Sequence, residues 1–385
     1  MAFISNNGRY QTPKKAASKK KKKKILPLIL IILLLIVAIC VGGGIWYYNH
    51  LLGMISRPGD PVTNMPTETY SSAQESVAIE ETVPAETEPL ETSPEDTWPK
   101  IASDENISNF MLVGQAAREG ETHLISDTMI LVSVNRETKT ITLTSLMRDM
   151  RLVWPQYTDT LGKTHSGNNR INMAYNMGYS WTKNKQDGMD MLESIVQHNF
   201  GVPVDRTVEI DFNVFQEIVD LMGGVTVNVD EAELKYLQEN YRWMEEVTVG
   251  DFNMSGYKAL CYARMRKVGH GDYERTERQR EVITGLLNKL KDMNILKIHK
   301  LFTKVLPMIT TDMTNQEITN YALEFIPMLK DLKIQSQRIP FEGNETSVTH
   351  TYQDGTVDYM IAPADLKATA RQLQDSIGMP AVEEY

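Results

Sequence analysis

Two cysteines in 385 residues are too few for a disulfide framework. Cys40 sits inside a long apolar run and Cys261 far beyond it, so the two occupy different environments and any exported part of the chain folds without a bridge. Both read as small apolar residues, and Ala38-Ile39 ahead of Cys40 is a poor lipoprotein cleavage context. Histidine is also scarce: the seven residues are scattered and give no Cys/His metal spacing. There is no P-loop, no GxSxG and no HExxH, and no repeat with a period of about 20 to 50 residues. With 42% apolar and 23% charged residues the chain is neither wholly disordered nor collagen-like. Its length allows one large domain or two ordinary ones with a substantial core.

Acids are absent from residues 1–54, which carry nine Lys/Arg, whereas residues 55–105 carry twelve acids and two bases. The remainder is moderately acidic within a net charge of -10, which argues against nucleic acid as a partner. Lys19 to Lys24 are six consecutive lysines, followed by an uncharged, Leu/Ile/Val-rich run from Ile25 to Tyr48. About 20 apolar residues rising about 1.5 Å each cross a hydrocarbon core of ~30 Å. The lysines place the N-terminus in the cytoplasm, and Trp46, Tyr47 and Tyr48 belong at the far interface. A cleaved signal peptide is the competing reading, but the run is longer than an ordinary h-region and lacks a small-x-small site. The expected organisation is therefore a basic cytoplasmic tail (1–24), one transmembrane helix (25–48), and an acidic, Pro/Thr/Glu-rich linker (49–105) acting as a solvated tether. An extracellular domain (106–294) and a C-terminal extension packed on it (295–385) follow, giving a single-pass cell-membrane protein.

From Asn106 onward strands and helices alternate. Asn109–Val113, Thr128–Val134 and Thr140–Leu146 are β-rich, the last two joined by a hairpin-length loop. Thr207–Ile210 and Val225–Val229 flank a helix opened by Asp211 and closed by Gly223-Gly224. Further helical stretches run over Asp187–Asn199 and Tyr273–Met293. This order predicts an α/β fold, a mixed central sheet covered by helices. Beyond Ile295, Asn315–Leu332 reads as helix, Lys333–Ile339 as strand and Pro363–Ile377 as a final helix.

Three arginine clusters stand out from Arg136, Arg151, Arg242 and Arg371, which read as solvated decoration. Arg148-Asp149 follows a strand directly, at the end where sheet proteins commonly place ligand groups. Arg264 and Arg266 form a two-pronged anion clamp if Tyr262–Arg266 is extended, and diverge by about 200 degrees if it is helical. In the helix beginning near Asp272, the inward stripe of Val282, Ile283, Leu286, Leu287 and Leu290 extends backward to Gln279, Arg278 and Arg275. Cations on a core-facing stripe are costly unless an anion meets them. Either acids such as Asp149 and Asp272 neutralise them in a salt-bridge network, or a pyrophosphate or polyphosphate ligand does. Asp127, just ahead of an apolar strand, is either a divalent-cation ligand on phosphate oxygens or a capping acid.

At these residues the chain resembles the LytR-CpsA-Psr family. The resemblance is carried by Ser126-Asp127-Thr128-Met129, Ser145-Leu-Met-Arg148-Asp149, Arg170-Ile-Asn172-Met-Ala-Tyr175 and Val208-Glu-Ile-Asp211-Phe with Gly223-Gly224-Val225. It continues through Gly256–Arg266 and Gly271-Asp272-Tyr-Glu-Arg275-Thr-Glu-Arg278-Gln279, and runs from about Phe110 to Leu290. It implies an α/β/α sandwich and a phosphotransferase that attaches a teichoic-acid or capsular glycopolymer from an undecaprenyl-pyrophosphate carrier to peptidoglycan. By position, Arg148, Arg264, Arg266, Arg275 and Gln279 match residues that grip the pyrophosphate, and Asp127 matches one Mg²⁺ ligand. The resemblance further implies that the carrier's lipid tail lies in an apolar tunnel between sheet and helices. Asp127 and Arg148 are the residues implied in catalysis, with charge stabilisation by arginine and metal. Two departures stand out: Ala116 occupies the place of a second metal carboxylate, and Ile125 that of an arginine before Ser-Asp. Arg118 is the candidate replacement for the lost positive charge. These losses leave a second reading open, a catalytically weakened carrier-lipid-binding scaffold or regulator of envelope assembly.

Overall fold

The computed structural model describes residues 49–60, 101–115, 126–351 and 357–380. The basic tail, the apolar run 25–48, most of the linker, and Ala116, Arg118 and Ile125 lie outside them. Among the described residues no helix is long and apolar enough to cross a membrane.

The strands are β1 (Ile107–Gln115), β2 (Ser126–Asn135), β3 (Thr140–Leu146), β4 (Arg151–Thr158), β5 (Thr164–Arg170), β6 (Arg206–Asp211), β7 (Val225–Val229), β8 (Gly250–Met254), β9 (Thr310–Thr311), β10 (Lys333–Ile339), β11 (Glu345–Thr351) and β12 (Val357–Pro363). The helices are α1 (Ala174–Thr182), α2 (Lys185–Phe200), α3 (Phe212–Leu221), α4 (Glu231–Asn240), α5 (Gly256–Ala263), α6 (Asp272–Lys291), α7 (Ile295–Val305), α8 (Asn315–Phe325) and α9 (Leu366–Ile377). Six strands form the central sheet in the order β10-β3-β2-β1-β6-β9, and the pairs β4-β5, β7-β8 and β11-β12 are separate two-stranded sheets. The sheet is mixed: β1 runs parallel to β6 and β10 to β3, whereas β1-β2, β2-β3 and β6-β9 are antiparallel.

The apolar run in β2 is buried on both sides, as a central strand between two helical layers requires. Met129 and Leu131 join Met111, Val113 and Leu146 against the core residues of α1, α2 and α9. Ile130 and Val134 face the other way with Ile141 and Leu143, toward Ile283 and Leu287 of α6 and Phe325 of α8. A separate cluster joins the β7-β8 pair to α3, α4, α5 and α6. Helix α6 crosses β7 so closely that a Cβ on Gly285 would lie 2.7 Å from Val225 Cγ2. The expected stop after α3 holds: Gly224 sits at φ +89°, and a Cβ there would lie 2.8 Å from the Met254 carbonyl oxygen.

Two expectations need correction, and one open alternative is decided. The tether does not begin at residue 49 as a free chain: Leu51, Leu52 and Ile55 are buried, and Ser56 bridges Thr310. Arg57 then donates to the carbonyls of Thr311 and Met313, because closely spaced apolar side chains and one guanidinium outweigh the linker composition that follows. Tyr262–Arg266 is not extended. Helix α5 continues to Ala263, and Arg264 caps it in helical geometry. The stretch Asn315–Leu332 is two elements, with α8 ending at Phe325 and a 3-10 turn over Ile326–Asp331 whose start carries Pro327. The C-terminal segment supplies β9 and β10 to the main sheet and α9 to one of its faces.

Candidate functional site

The carboxyl ends of β1, β3, β6 and β10 and the amino end of β2 meet along one edge of the sheet, and the charged residues gather there. Arg148 and Asp149 occupy a turn between buried Met147 and Met150, so the core holds the flanks while the charged pair faces the edge. The turn is pinned by Met147 N–H to the Ile339 carbonyl (3.0 Å), Asn172 N–H to that of Arg148 (3.3 Å) and Ile361 N–H to that of Asp149 (3.1 Å). The first turn of α6 brings Asp272 and Arg275 to the same place.

Asp127 Oδ1 accepts from Arg148 Nη1 at 3.1 Å and Arg266 Nη2 at 3.2 Å. Arg275 Nη2 donates to the Asp127 carbonyl at 3.3 Å and lies 2.8 Å from Asp272 Oδ1. Arg148 Nε stands 3.5 Å from Asp149 and 3.6 Å from Asp272, beyond good hydrogen-bond geometry. Arg170 reaches Asp149 at 3.7 Å and also binds Asp358 and the Tyr359 carbonyl. The buried Nε donors of Arg148, Arg170 and Arg275 all lack a hydrogen-bond acceptor.

Electrostatics follow from this packing. Burial alone would lower the Arg148 pKa, but Asp149, Asp272 and Asp127 together raise it, so its charge is secure. Burial pulls Arg275 down to about 10 despite Asp272, which leaves it protonated at neutral pH. Burial raises Asp272, opposed by Arg275 and Arg148.

Arg278 is the informative contrast. Its Nε donates to Glu233 at 2.6 Å, and its Nη atoms to the carbonyls of Met265 (3.0 Å) and Val268 (3.1 Å). For Arg278 the salt-bridge account is therefore the right one, and the ligand-binding expectation is corrected: the side chain locks the loop after α5 to α4. Gln279, also buried, donates to the Ala263 carbonyl at 3.4 Å and so braces the turn that carries Arg264 and Arg266. Arg264 does not join Asp127; its guanidinium lies 4.6 Å above the Phe212 ring, beside the end of β6. The two-pronged clamp that an extended segment would have made is thus absent, because Arg264 keeps the helical geometry of the α5 cap while Arg266 lies beyond the helix.

Arg170 and Asp358 were not among the expected site residues. Arg170 lies in a stretch that carries the family resemblance, but nothing in the sequence pointed to Asp358, which the β11-β12 hairpin brings in from more than 180 residues away.

A metal has little to hold it in the protein alone: no group of three or more acids, His or Cys is placed for a cation among the described residues. Asp127 is a single carboxylate already shared by two arginines. That donor set fits a Mg²⁺ whose remaining ligands are phosphate oxygens and water, and does not fit an all-protein site.

Beyond the charged edge, an apolar cavity of about 180 Å³ opens between α3, α6 and α7, bounded by Ile218, Ile283, Leu287, Leu290, Leu301 and Phe302 among others.

Fold and site together define an α/β protein with a cluster of arginines partly paired to carboxylates at a sheet edge, and with an apolar cavity lined by the later turns of the helix that carries Arg275. The model of the LytR_cpsA_psr family matches residues 67–375, and the chain belongs to that family. The match extends into the C-terminal segment, past the Leu290 limit of the motifs that carry the resemblance. The chain is 28% identical over 269 residues, 69% of its length and 77% of the relative's, to the polyisoprenyl-teichoic acid–peptidoglycan teichoic acid transferase TagU of Bacillus subtilis (strain 168). It is 31% identical over 206 residues to the protein of that name from Bacillus licheniformis, spanning 53% of this chain and 59% of that one. In fold it resembles the crystal structure of B. subtilis TagV, with TM-score 0.52 and 24% identity, over 72% of this chain and all of that one.

Proposed function

We propose that the protein is a membrane-anchored extracellular phosphotransferase that moves a glycopolymer of the teichoic-acid or capsular type from an undecaprenyl-pyrophosphate carrier to peptidoglycan. The observation that carries this reading is a contrast among buried arginines: each guanidinium nitrogen of Arg278 has an internal acceptor, whereas Arg148 and Arg275 keep unaccepted Nε donors and Arg148 stands 3.5 and 3.6 Å from Asp149 and Asp272. A pyrophosphate offers those donors stronger, charge-assisted acceptors. The family and the names of its transferase relatives support the same chemistry.

In the reaction an acceptor sugar hydroxyl attacks the polymer-side phosphorus. The bond from that phosphorus to the bridging oxygen breaks, the carrier leaves as polyprenyl monophosphate, and the hydroxyl proton passes to a carboxylate of the cluster. Arg148, Arg266 and Arg275 orient the pyrophosphate and stabilise charge on the leaving phosphate. Asp127 is the residue that would hold Mg²⁺, which supplies further positive charge to the phosphate oxygens. The apolar cavity along the later turns of α6 takes part of the carrier's isoprene chain. The anchor is the run 25–48, with the N-terminus inside.

Full-length protein is incubated with lipid-linked glycopolymer, Mg²⁺ and peptidoglycan. The expected result is wall-bound polymer through a phosphodiester, with equimolar release of polyprenyl monophosphate. Binding without transfer would select the scaffold reading, which Ala116 and Ile125 favour.

A further inference from the structure

Helix α7 has an apolar surface that its packing does not use. At 100 degrees per residue, Ile298, Leu301 and Val305 share the inward face, and Leu301 and Val305 line the cavity. Phe302, Ile295 and Leu296 fall on an adjoining strip together with His299 and Thr303. Their exposures are 37%, 58% and 76%, an uncommon concentration of large apolar surface on a single short helix. Lys297, Lys300 and Lys304 are all exposed and border that strip on its far side. Between Lys289 and Lys304 the chain has five lysines and one acid, against an overall net charge of -10. Phe302 belongs to both surfaces, lining the cavity and reaching solvent, so it forms the cavity's lip.

We infer that the outer face of α7 is a contact with an anionic lipid bilayer, with Leu296, Ile295 and Phe302 entering the interface and the three lysines meeting lipid phosphates. Charge complementarity selects this occupant: an apolar strip bordered by lysine is the pattern of helices that lie in a membrane interface, and each lysine near an anionic surface is worth roughly fivefold in affinity. The consequence is that the cavity mouth opens at the bilayer, where a polyprenyl chain can enter without crossing water. The inference rests on the proposed function only for the compartment in which the domain stands.

The test uses the full chain in vesicles of phosphatidylcholine with or without phosphatidylglycerol. An environment-sensitive NBD label is placed at Leu296→Cys, with Cys40→Ala and Cys261→Ala as background. The control label is at Leu161→Cys, which lies on the β4-β5 turn and is 72% exposed. The expected result is blue-shifted emission at 296, quenched by doxyl lipids and enhanced by phosphatidylglycerol, with no change at 161. Lys297→Glu, Lys300→Glu and Lys304→Glu together should abolish the phosphatidylglycerol enhancement. Hydrogen exchange on the unlabelled chain gives a second measurement, with slower exchange in α7 on anionic vesicles than on neutral ones. Water-like emission at both positions with unchanged α7 exchange overturns the inference. So does a blue shift that follows protein density and escapes lipid quenching, which would mean a second copy. Affinity for a water-soluble, short-chain prenyl pyrophosphate is measured on the same samples and should be unaltered by the α7 substitutions. Loss of that affinity in the parent chain would count against the phosphotransferase and leave the bilayer contact standing.

Discussion

Arg148 and Asp127 meet across the sheet edge, Nη1 to Oδ1 at 3.1 Å, although they leave neighbouring strands in opposite directions. The antiparallel register places the start of β2 beside the end of β3, so the second residue of β2 faces the second residue past β3. The pair is partly exposed, and Arg148 keeps an unaccepted Nε. It is organised without being closed, as a site awaiting an anion should be.

Ligand chemistry at Asp127 should depend on what the ligand brings. Mg²⁺ is expected to bind the protein weakly alone and more tightly once pyrophosphate supplies oxygens, and Asp127→Asn should abolish transfer while largely sparing lipid binding. Calorimetric titration of Mg²⁺ with and without a pyrophosphate lipid analogue measures this, and equal affinity in both states would remove the metal from the account.

Arg278 should behave as a structural residue. Removing it strands the buried Glu233 carboxylate, so Arg278→Ala should cost about 3 to 5 kcal/mol of unfolding free energy. Arg278→Met combined with Glu233→Gln should cost clearly less than the two single changes summed, as denaturant unfolding of all variants would reveal.

Arg280 presents the opposite case. It is buried, its Nε and Nη1 have no acceptor, and burial lowers it to about 10. Arg280→Met should therefore stabilise the fold by about 1 to 3 kcal/mol. Destabilisation would mean that the guanidinium has an anionic partner in solution.

Glu193 gives the fold a pH dependence. Burial pushes its carboxyl up to about 8, against a hydrogen bond from Thr207 at 2.6 Å. The folded state thus holds this proton more tightly than the unfolded chain, whose value is about 4.3. The contribution is fully present below that value and is lost as pH rises toward 8. Glu193→Gln keeps the acceptor and removes the titration, so it should gain stability relative to wild type between about pH 5 and 8. Unfolding free energies of the two proteins across that range check it, and parallel curves would count against the assignment.

Strong local signals made much of this legible from sequence. The continuous apolar run in β2, the acid that opens α3 and the glycines that close it, and the inward stripe of α6 down to Arg275 each fix an element by its own residues. What the sequence hid depends on distant pairing. Arg275 and Arg278 lie three residues apart on the same stripe, and their roles differ because Glu233 arrives from α4 to meet Arg278, whereas Arg275 meets Asp272 and Asp127 at the sheet edge. Asp358 reaches Arg170 through a hairpin with no signature of its own. Arg264 and Arg266 depended on whether α5 continued, which tertiary packing of Ala259, Tyr262 and Ala263 decides.

The most direct measurement is the affinity of full-length protein for a polyprenyl-pyrophosphate analogue across single arginine variants. Arg148→Ala and Arg275→Ala should each weaken binding by roughly 2 to 5 kcal/mol, the scale for unpairing a desolvated charge. Arg136→Ala should leave it unchanged, since Arg136 serves Ser108 and Glu324 away from the cluster. Equal affinity in all three variants would contradict the assignment of this sheet edge as the pyrophosphate site.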